Sequence, residues 1–253
     1  MRNASSSRTC VVLQPGYLPW LGFFEQMARA DEFVYLDDVQ FDKHGWRNRN
    51  RIKGPGGAQW LTVPVRLHGL DQPPIHEVLI DPARPQWAAK HLQAIRTCYG
   101  PSPFFDCLFP GLADVLSRDW THIAELDIAV AAFLCEKLGL SRRVHRSSAL
   151  GVEGDRCERL ANICRRLGCD VYYSGAAARE YLDVSAFENA GIHVEFQDYR
   201  HPEYPQRFGG FVSHLSVVDL MFHCGPDSLS IITGVTGHNR ESLCLTGAEP
   251  DHP

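Results

Sequence analysis

The stretch C-V-V-L-Q-P-G-Y-L-P-W-L-G-F-F-E-Q-M-A-R-A-D-E-F-V-Y-L-D-D, residues 10–38, decides the fold. Residues 10–14 (CVVLQ) form a short β-branched run with a polar end and read as a buried strand, which Pro15-Gly16 breaks. Residues 21–29 carry apolar side chains at helical spacing, and 32–36 (EFVYL) make a second strand ending on Asp37-Asp38. Two short strands joined by a turn and a helix are the opening βαβ unit of a parallel sheet.

The last third of the chain repeats that alternation. Strands are expected at 144–147, at 171–173 (ending on Ser174-Gly175) and at 194–196 (ending on Gln197). Between them lie an amphipathic helix over 155–167, closed by Gly168, and a helix over 184–190. A helix over 216–223 follows and stops at Gly225-Pro226, with Ser216 and Asp219 spaced as in a capping box.

The middle differs. Residues 48–53 and 59–65 flank Gly54-Pro55-Gly56-Gly57 and read as a hairpin, to which 77–80 adds a third strand. Residues 87–99 look helical, 100–110 form a Pro- and Phe-rich turn, and Thr121 caps a long helix that ends at Gly139. The expected fold is α/β: a mainly parallel sheet with flanking helices, Rossmann-like or nucleotidyltransferase-like. A hairpin (about 47–80) and a helical insertion (about 86–139) complete a single domain over 10–245, between disordered ends at 1–9 and 246–253.

Composition narrows the function classes. Apolar runs such as 128–135 are far shorter than the ~20 residues a bilayer requires. The polar, Ser-rich start lacks an apolar signal core, so a cytoplasmic protein is expected with no membrane partner. The net charge of −5 gives no global basic field, which argues against nucleic acid as partner. Nine cysteines form an odd set with no C-x-x-C pair, so they read as reduced buried thiols, and no metal site is expected.

In open α/β sheets, ligands bind beyond the carboxyl ends of the strands. Gln14, Asp37-Asp38, Ser174 and Gln197 stand at such ends and are expected to share one rim. The loop Q-P-G-Y-L-P-W supplies Tyr17 and Trp20, as a ligand platform at a helix N-terminus or as a rigid turn. Asp37 and Asp38, with Gln40 nearby, are candidate bases or ligand contacts; the bland reading is a capped turn. In W-R-N-R-N-R-I-K, residues Arg47, Arg49, Arg51 and Lys53 alternate and would form one cationic face beside Asn48, for phosphate or carboxylate or as a solvated edge.

Residues 173–183 follow Ser174 with Arg179, Tyr181 and Asp183, which read as a substrate-orienting loop; the nucleophile elbow G-x-S-x-G is absent. His201, in an irregular loop, is a candidate acid or base. Cys224 is a candidate nucleophile beside His214, His223 and Asp219.

The pieces QPGYLPWLGFF, FVYLDDVQF, WRNRNRIK, WLTVPV, RSSALGVEG, SGAAAREYLD, VEFQDYRHPEYPQ and LSVVDLMFHCGP, in this order, resemble the WbqC-like family over residues 11–226. Leu13 and His223 depart from the residues many relatives carry there. The resemblance implies a transferase of natural-product or saccharide biosynthesis that forms an amide by acyl or aminoacyl (glycyl-like) transfer. Asp37, Asp38 or His201 would then take the amine's proton, and loop N–H groups or Gln14 would steady the oxyanion. Arg47, Arg49 and Lys53 would hold the phosphate of a donor on coenzyme A, on the phosphopantetheine of an acyl carrier protein, or on a nucleotide sugar. The acceptor would be a sugar or other small molecule. Adenylyl or nucleotidyl transfer with Mg²⁺ at Asp37-Asp38, which would lack a P-loop, and a non-catalytic accessory protein are the alternatives.

Overall fold

The computed structural model describes residues 7–69 and 71–235; the expected disordered tail at 246–253 and residues 1–6 of the expected disordered start lie outside them, whereas Thr9, placed in that start, opens a strand. Strand β1 (Thr9–Leu13), helix α1 (Leu21–Arg29) and strand β2 (Glu32–Tyr35) form the expected βαβ unit, with Cys10 opposite Glu32 and Leu13 opposite Tyr35 in parallel register. The antiparallel hairpin of β3 (Arg49–Gly54) and β4 (Gly57–Thr62) turns through Pro55-Gly56, and Gly57 takes a φ of +97°.

The next elements correct three expectations. Strands β5 (Val65–Arg66) and β6 (Leu79–Ile80) pair with each other rather than extending the hairpin. Residues 75–77 coil into a 3-10 turn, and the Ile80 N–H is bound to the Thr121 carbonyl at 2.8 Å. After helix α2 (Trp87–Tyr99), the Pro-rich turn is short: α3 (Phe105–Leu116) begins at Phe105 and runs through Pro110. Stacking of Phe105 on Phe109, 4.5 Å between ring centroids, and the packing of Phe105 against Phe222 favour the helix there. Helix α4 (Ile123–Leu138) follows His122, with no side-chain cap from Thr121; Gly139 closes it at φ +72°.

The alternation resumes with β7 (Arg143–Arg146), α5 (Ser147–Leu150), α6 (Arg156–Leu167), β8 (Val171–Ser174), α7 (Ser185–Asn189), β9 (His193–Phe196), α8 (Val217–Cys224) and α9 (Ser228–Thr233). Asp155 caps α6, and Ser216 caps α8. Asp219 is not a capping-box partner, since it turns inward and accepts the Tyr99 hydroxyl at 2.7 Å.

The five-stranded sheet is entirely parallel, in the order β7-β2-β1-β8-β9. Counted along the chain, that order is 3-2-1-4-5, so the winding reverses between β1 and β8. Alternate side chains feed two layers: Val11, Phe33, Tyr35 and Tyr173 enter the layer of α1, α4 and α8, whereas Cys10, Val12, Val34 and Tyr172 meet α6 and α7. Burial on both faces explains why the strands read as nearly unbroken apolar runs. Removing a ring as enclosed as Phe33 would cost about 3–5 kcal/mol. Among the described residues, no helix is long and apolar enough to cross a membrane.

Candidate functional site

A cavity of about 1000 Å³ opens at the reversal point, beyond the carboxyl ends of β1 and β8. Gln14, Tyr17, Trp20, Gln26, Gln40, Trp46, Arg47, Asn50, Arg156, Arg159, Ser174, Tyr181 and His214 line it. Of the four strand ends expected to share a rim, Gln14 and Ser174 face this space.

The loop after β1 is strapped to the lead of the hairpin. Tyr17 N–H donates to the Arg47 carbonyl (3.2 Å), and Asn50 Nδ2 donates to the carbonyl of Leu18 (2.7 Å), which sits at φ +45°. A Cβ on Gly16 would lie 3.0 Å from the Trp46 carbonyl, and one on Gly22 would lie 2.2 Å from the Trp20 ring. Both glycines are therefore needed for this packing. Tyr17 donates its hydroxyl to His91 Nδ1 at 2.9 Å. Burial depresses the His91 imidazole to about 4, so it accepts this bond as the neutral base.

The cavity's positive charge comes from two directions. Arg47 donates Nη1 to the Pro15 carbonyl at 3.1 Å, and burial lowers its guanidinium pKa despite the distant pull of Asp127 and Asp42. From α6, Arg156 and Arg159 line the opposite wall at the helix's amino end, where backbone N–H groups also favour anions. Arg159 pairs with Asp38, whose other oxygen accepts Ser147 Oγ at 2.6 Å. Asp38 is thus an anchor behind the wall rather than a lining residue.

Asp37 does not reach the cavity. It is fully buried and accepts from Arg146 Nε (2.7 Å), Ser148 N–H (3.0 Å) and Ser148 Oγ (2.9 Å), while its own N–H donates to Ser147 Oγ (3.1 Å). Burial alone would raise its carboxyl pKa; the Ser148 N–H, Arg146 and the Ser148 hydroxyl outweigh that and hold it below its usual value. With both oxygens engaged and no place in the cavity lining, this carboxylate ties β2 to the start of α5 rather than serving a ligand. Among the described residues, no His/Cys/Asp/Glu group is arranged to hold a metal ion.

His201 is likewise occupied. Its Nδ1 faces the Pro202 carbonyl at 2.9 Å and therefore carries the hydrogen, while Nε2 accepts the His214 N–H at 3.1 Å. Burial lowers its pKa, in keeping with that neutral tautomer. The cavity's imidazole is that of His214: its ring stacks on Trp20 at 5.4 Å, and its Nδ1 lies 2.9 Å from Ser213 Oγ.

The expected cationic face divides. Asn48 donates to the Val63 carbonyl (2.7 Å), and Arg49 to the carbonyls of His44 and Gly45. Lys53 is buried and fastens the carbonyl of Gly210 (2.6 Å) and Gln206. Arg47 alone of the expected four lines the cavity.

At the far edge, Tyr181 reaches the mouth, but Arg179 lies over the Phe196 ring (4.8 Å) and Asp183 accepts from Ser185 at the start of α7. Gln197 is buried, donating to Glu25 (2.7 Å) and the Gly22 carbonyl (3.0 Å) and so fixing the end of β9 to α1. Cys224 is outside the lining, half-buried, with its thiol pushed up to about 11 by burial; a nucleophilic role has neither the location nor the thiolate.

Sequence reasoning misses Arg156, Arg159, Asn50 and Gln26, and takes His214 only as a neighbour of Cys224. The cap at Asp155 put Arg156 and Arg159 on the first turn of a helix after a strand, which was a usable signal. The placing of His214 over Trp20, away from Cys224, is a product of the fold alone.

A sequence profile described as the WbqC-like protein family matches residues 14–231. The chain is also 36% identical over 219 residues to the uncharacterized protein Rv1507c of Mycobacterium tuberculosis, covering 86% of this chain and 94% of that protein. No solved structure matches significantly.

Proposed function

The chain belongs to the WbqC-like protein family, and from that footing we propose that it is a transferase forming an amide, moving an acyl or aminoacyl group from an activated donor to an amino group. The observation that carries this reading is the pairing of one imidazole, His214, with a cationic wall around a single cavity. The carboxylate in that lining, Asp155, is engaged in capping α6, so His214 is the group left to take up and return a proton.

The chemistry closes as follows. The amine nitrogen attacks the donor carbonyl, a C–N bond forms, and the bond to the thiol or phosphate leaving group breaks. His214 takes the proton from nitrogen and returns it to the leaving group. In this reading the Gln14 amide, part of the lining, donates to the oxyanion, and Arg47, Arg156 and the amino end of α6 attract the anionic part of the donor. The acceptor class expected is a small amine or amino sugar.

Incubating the protein with acyl-coenzyme A or an acylated carrier protein and a panel of amino sugars, followed by mass spectrometry, tests the proposal. The expected product carries the acyl mass on nitrogen, and His214→Gln lowers its rate at least about 100-fold. Absence of any amide across donors and acceptors overturns it. Pyrophosphate release from ATP without amide formation would instead make the chain an adenylyl transferase, which the placement of the cavity at the sheet's reversal point also fits.

A further inference from the structure

Two of the most exposed large apolar side chains, Trp46 (42%) and Trp60 (47%), lie against each other with ring centroids 5.1 Å apart. Trp46 lines the cavity, so the pair extends its mouth onto the hairpin. The strand register explains the pattern. Arg51 stands directly opposite Trp60 and Arg49 diagonally across from it, so all three share one face. Lys53 is on that face too, but the loop at 206–210 covers it, leaving the middle of the stripe open.

The guanidiniums are held in place. Arg49 lies over Trp60 at 4.6 Å and is pinned by the carbonyls of His44 and Gly45. Arg51 lies 5.5 Å from Trp46 and 5.7 Å from Trp60, and donates to the His214 carbonyl at 3.3 Å. Neither arginine has a described carboxylate within ion-pairing distance, nor does Arg47, in a chain of net charge −5. Exposed aromatic rings with unneutralised guanidiniums at their faces, continuous with the cavity, match a planar base and its phosphates.

We propose that Trp46, Trp60, Arg49 and Arg51 form a subsite for a nucleoside phosphate, the outer end of a ligand whose reacting end enters the cavity. The proposal rests on the transferase reading for the name "donor", but the subsite stands on its own geometry. It assigns a nucleotide-bearing donor, as against a bare phosphopantetheine arm on a protein.

The test measures direct binding by calorimetry, with the indole N–H signals of Trp46 and Trp60 followed by NMR. The probes are adenosine 3′,5′-bisphosphate, coenzyme A, a uridine diphosphate sugar, phosphopantetheine and inorganic pyrophosphate. At least one nucleoside phosphate is expected to bind tenfold or more tightly than pyrophosphate and phosphopantetheine, and to move both indole signals. Comparison of the adenosine and uridine probes identifies the source. Trp60→Ala should weaken that nucleotide about tenfold while leaving pyrophosphate unchanged, and Trp60→Phe should restore affinity to within about threefold.

Equal binding of pyrophosphate, unchanged nucleotide affinity in Trp60→Ala, or no nucleotide binding by the wild-type chain overturns the subsite. So does tight binding of an acylated carrier protein without nucleotide binding. Nucleotide bound through Trp60 without amide formation sinks the transfer reading and leaves the subsite standing.

Discussion

The backbone N–H of His214 donates to Nε2 of His201 over 3.1 Å. His214 sits at φ +57°, a left-handed conformation that a non-glycine residue holds only when its surroundings fix it. The His201 acceptor, the Arg51 contact with the His214 carbonyl and the stack on Trp20 supply that fixation. One histidine thus positions the other.

The two histidines should therefore fail differently. His214→Gln is expected to lower kcat at least about 100-fold. His201→Ala, acting only through position, should cost about tenfold, and His201→Gln, whose side-chain oxygen can accept the His214 N–H, should recover most of that loss. Steady-state kinetics separates the two roles; equal losses in His214→Gln and His201→Ala, or no recovery in His201→Gln, would refute the division.

Asp37 should prove to be a stability residue. Asp37→Ala takes the acceptor from Ser148 and one of two carboxylates from Arg146, which keeps Glu125, at a cost of about 1–3 kcal/mol. Urea denaturation reads this loss. Nucleoside phosphate affinity measured on the folded fraction should stay within about twofold of wild type.

Acid stability should carry the signature of His91. Its imidazole is depressed to about 4 in the folded chain, against about 6.5 when unfolded. Between those values the unfolded state binds the proton and the folded state does not, so stability present above pH 6.5 is lost as pH falls toward 4. The expected loss is about 3 kcal/mol. Asp37, with a lowered pKa, adds its own loss only below the ordinary carboxylate range. Urea midpoints from pH 7 to 4 should fall less steeply in His91→Gln than in wild type.

Cys224 should be dispensable to turnover. Its thiol is raised to about 11 by burial and lies away from the cavity. Cys224→Ser should keep kcat/KM within about twofold, and intact-mass measurement with an acyl donor should show no adduct on that residue. A persistent adduct there would overturn the imidazole mechanism.

The sequence by itself determined the sheet. Runs such as 10–13 and 32–35 can satisfy their backbone and bury both faces only as inner strands of a parallel sheet, and the turn residues between them leave few connections open. The same local chemistry located the strand ends, hence Gln14 and Ser174 at the cavity.

What only the tertiary structure decided was which polar group is free. Asp37, His201, Lys53 and Gln197 have the right chemistry for a site, but partners as far as 175 residues away consume their hydrogen-bonding capacity. Strand period likewise put Arg47, Arg49, Arg51 and Lys53 on one face, yet the 206–210 loop took Lys53 and the hairpin lead turned Arg47 into the cavity. Availability depends on contacts between distant segments, and no local pattern records them.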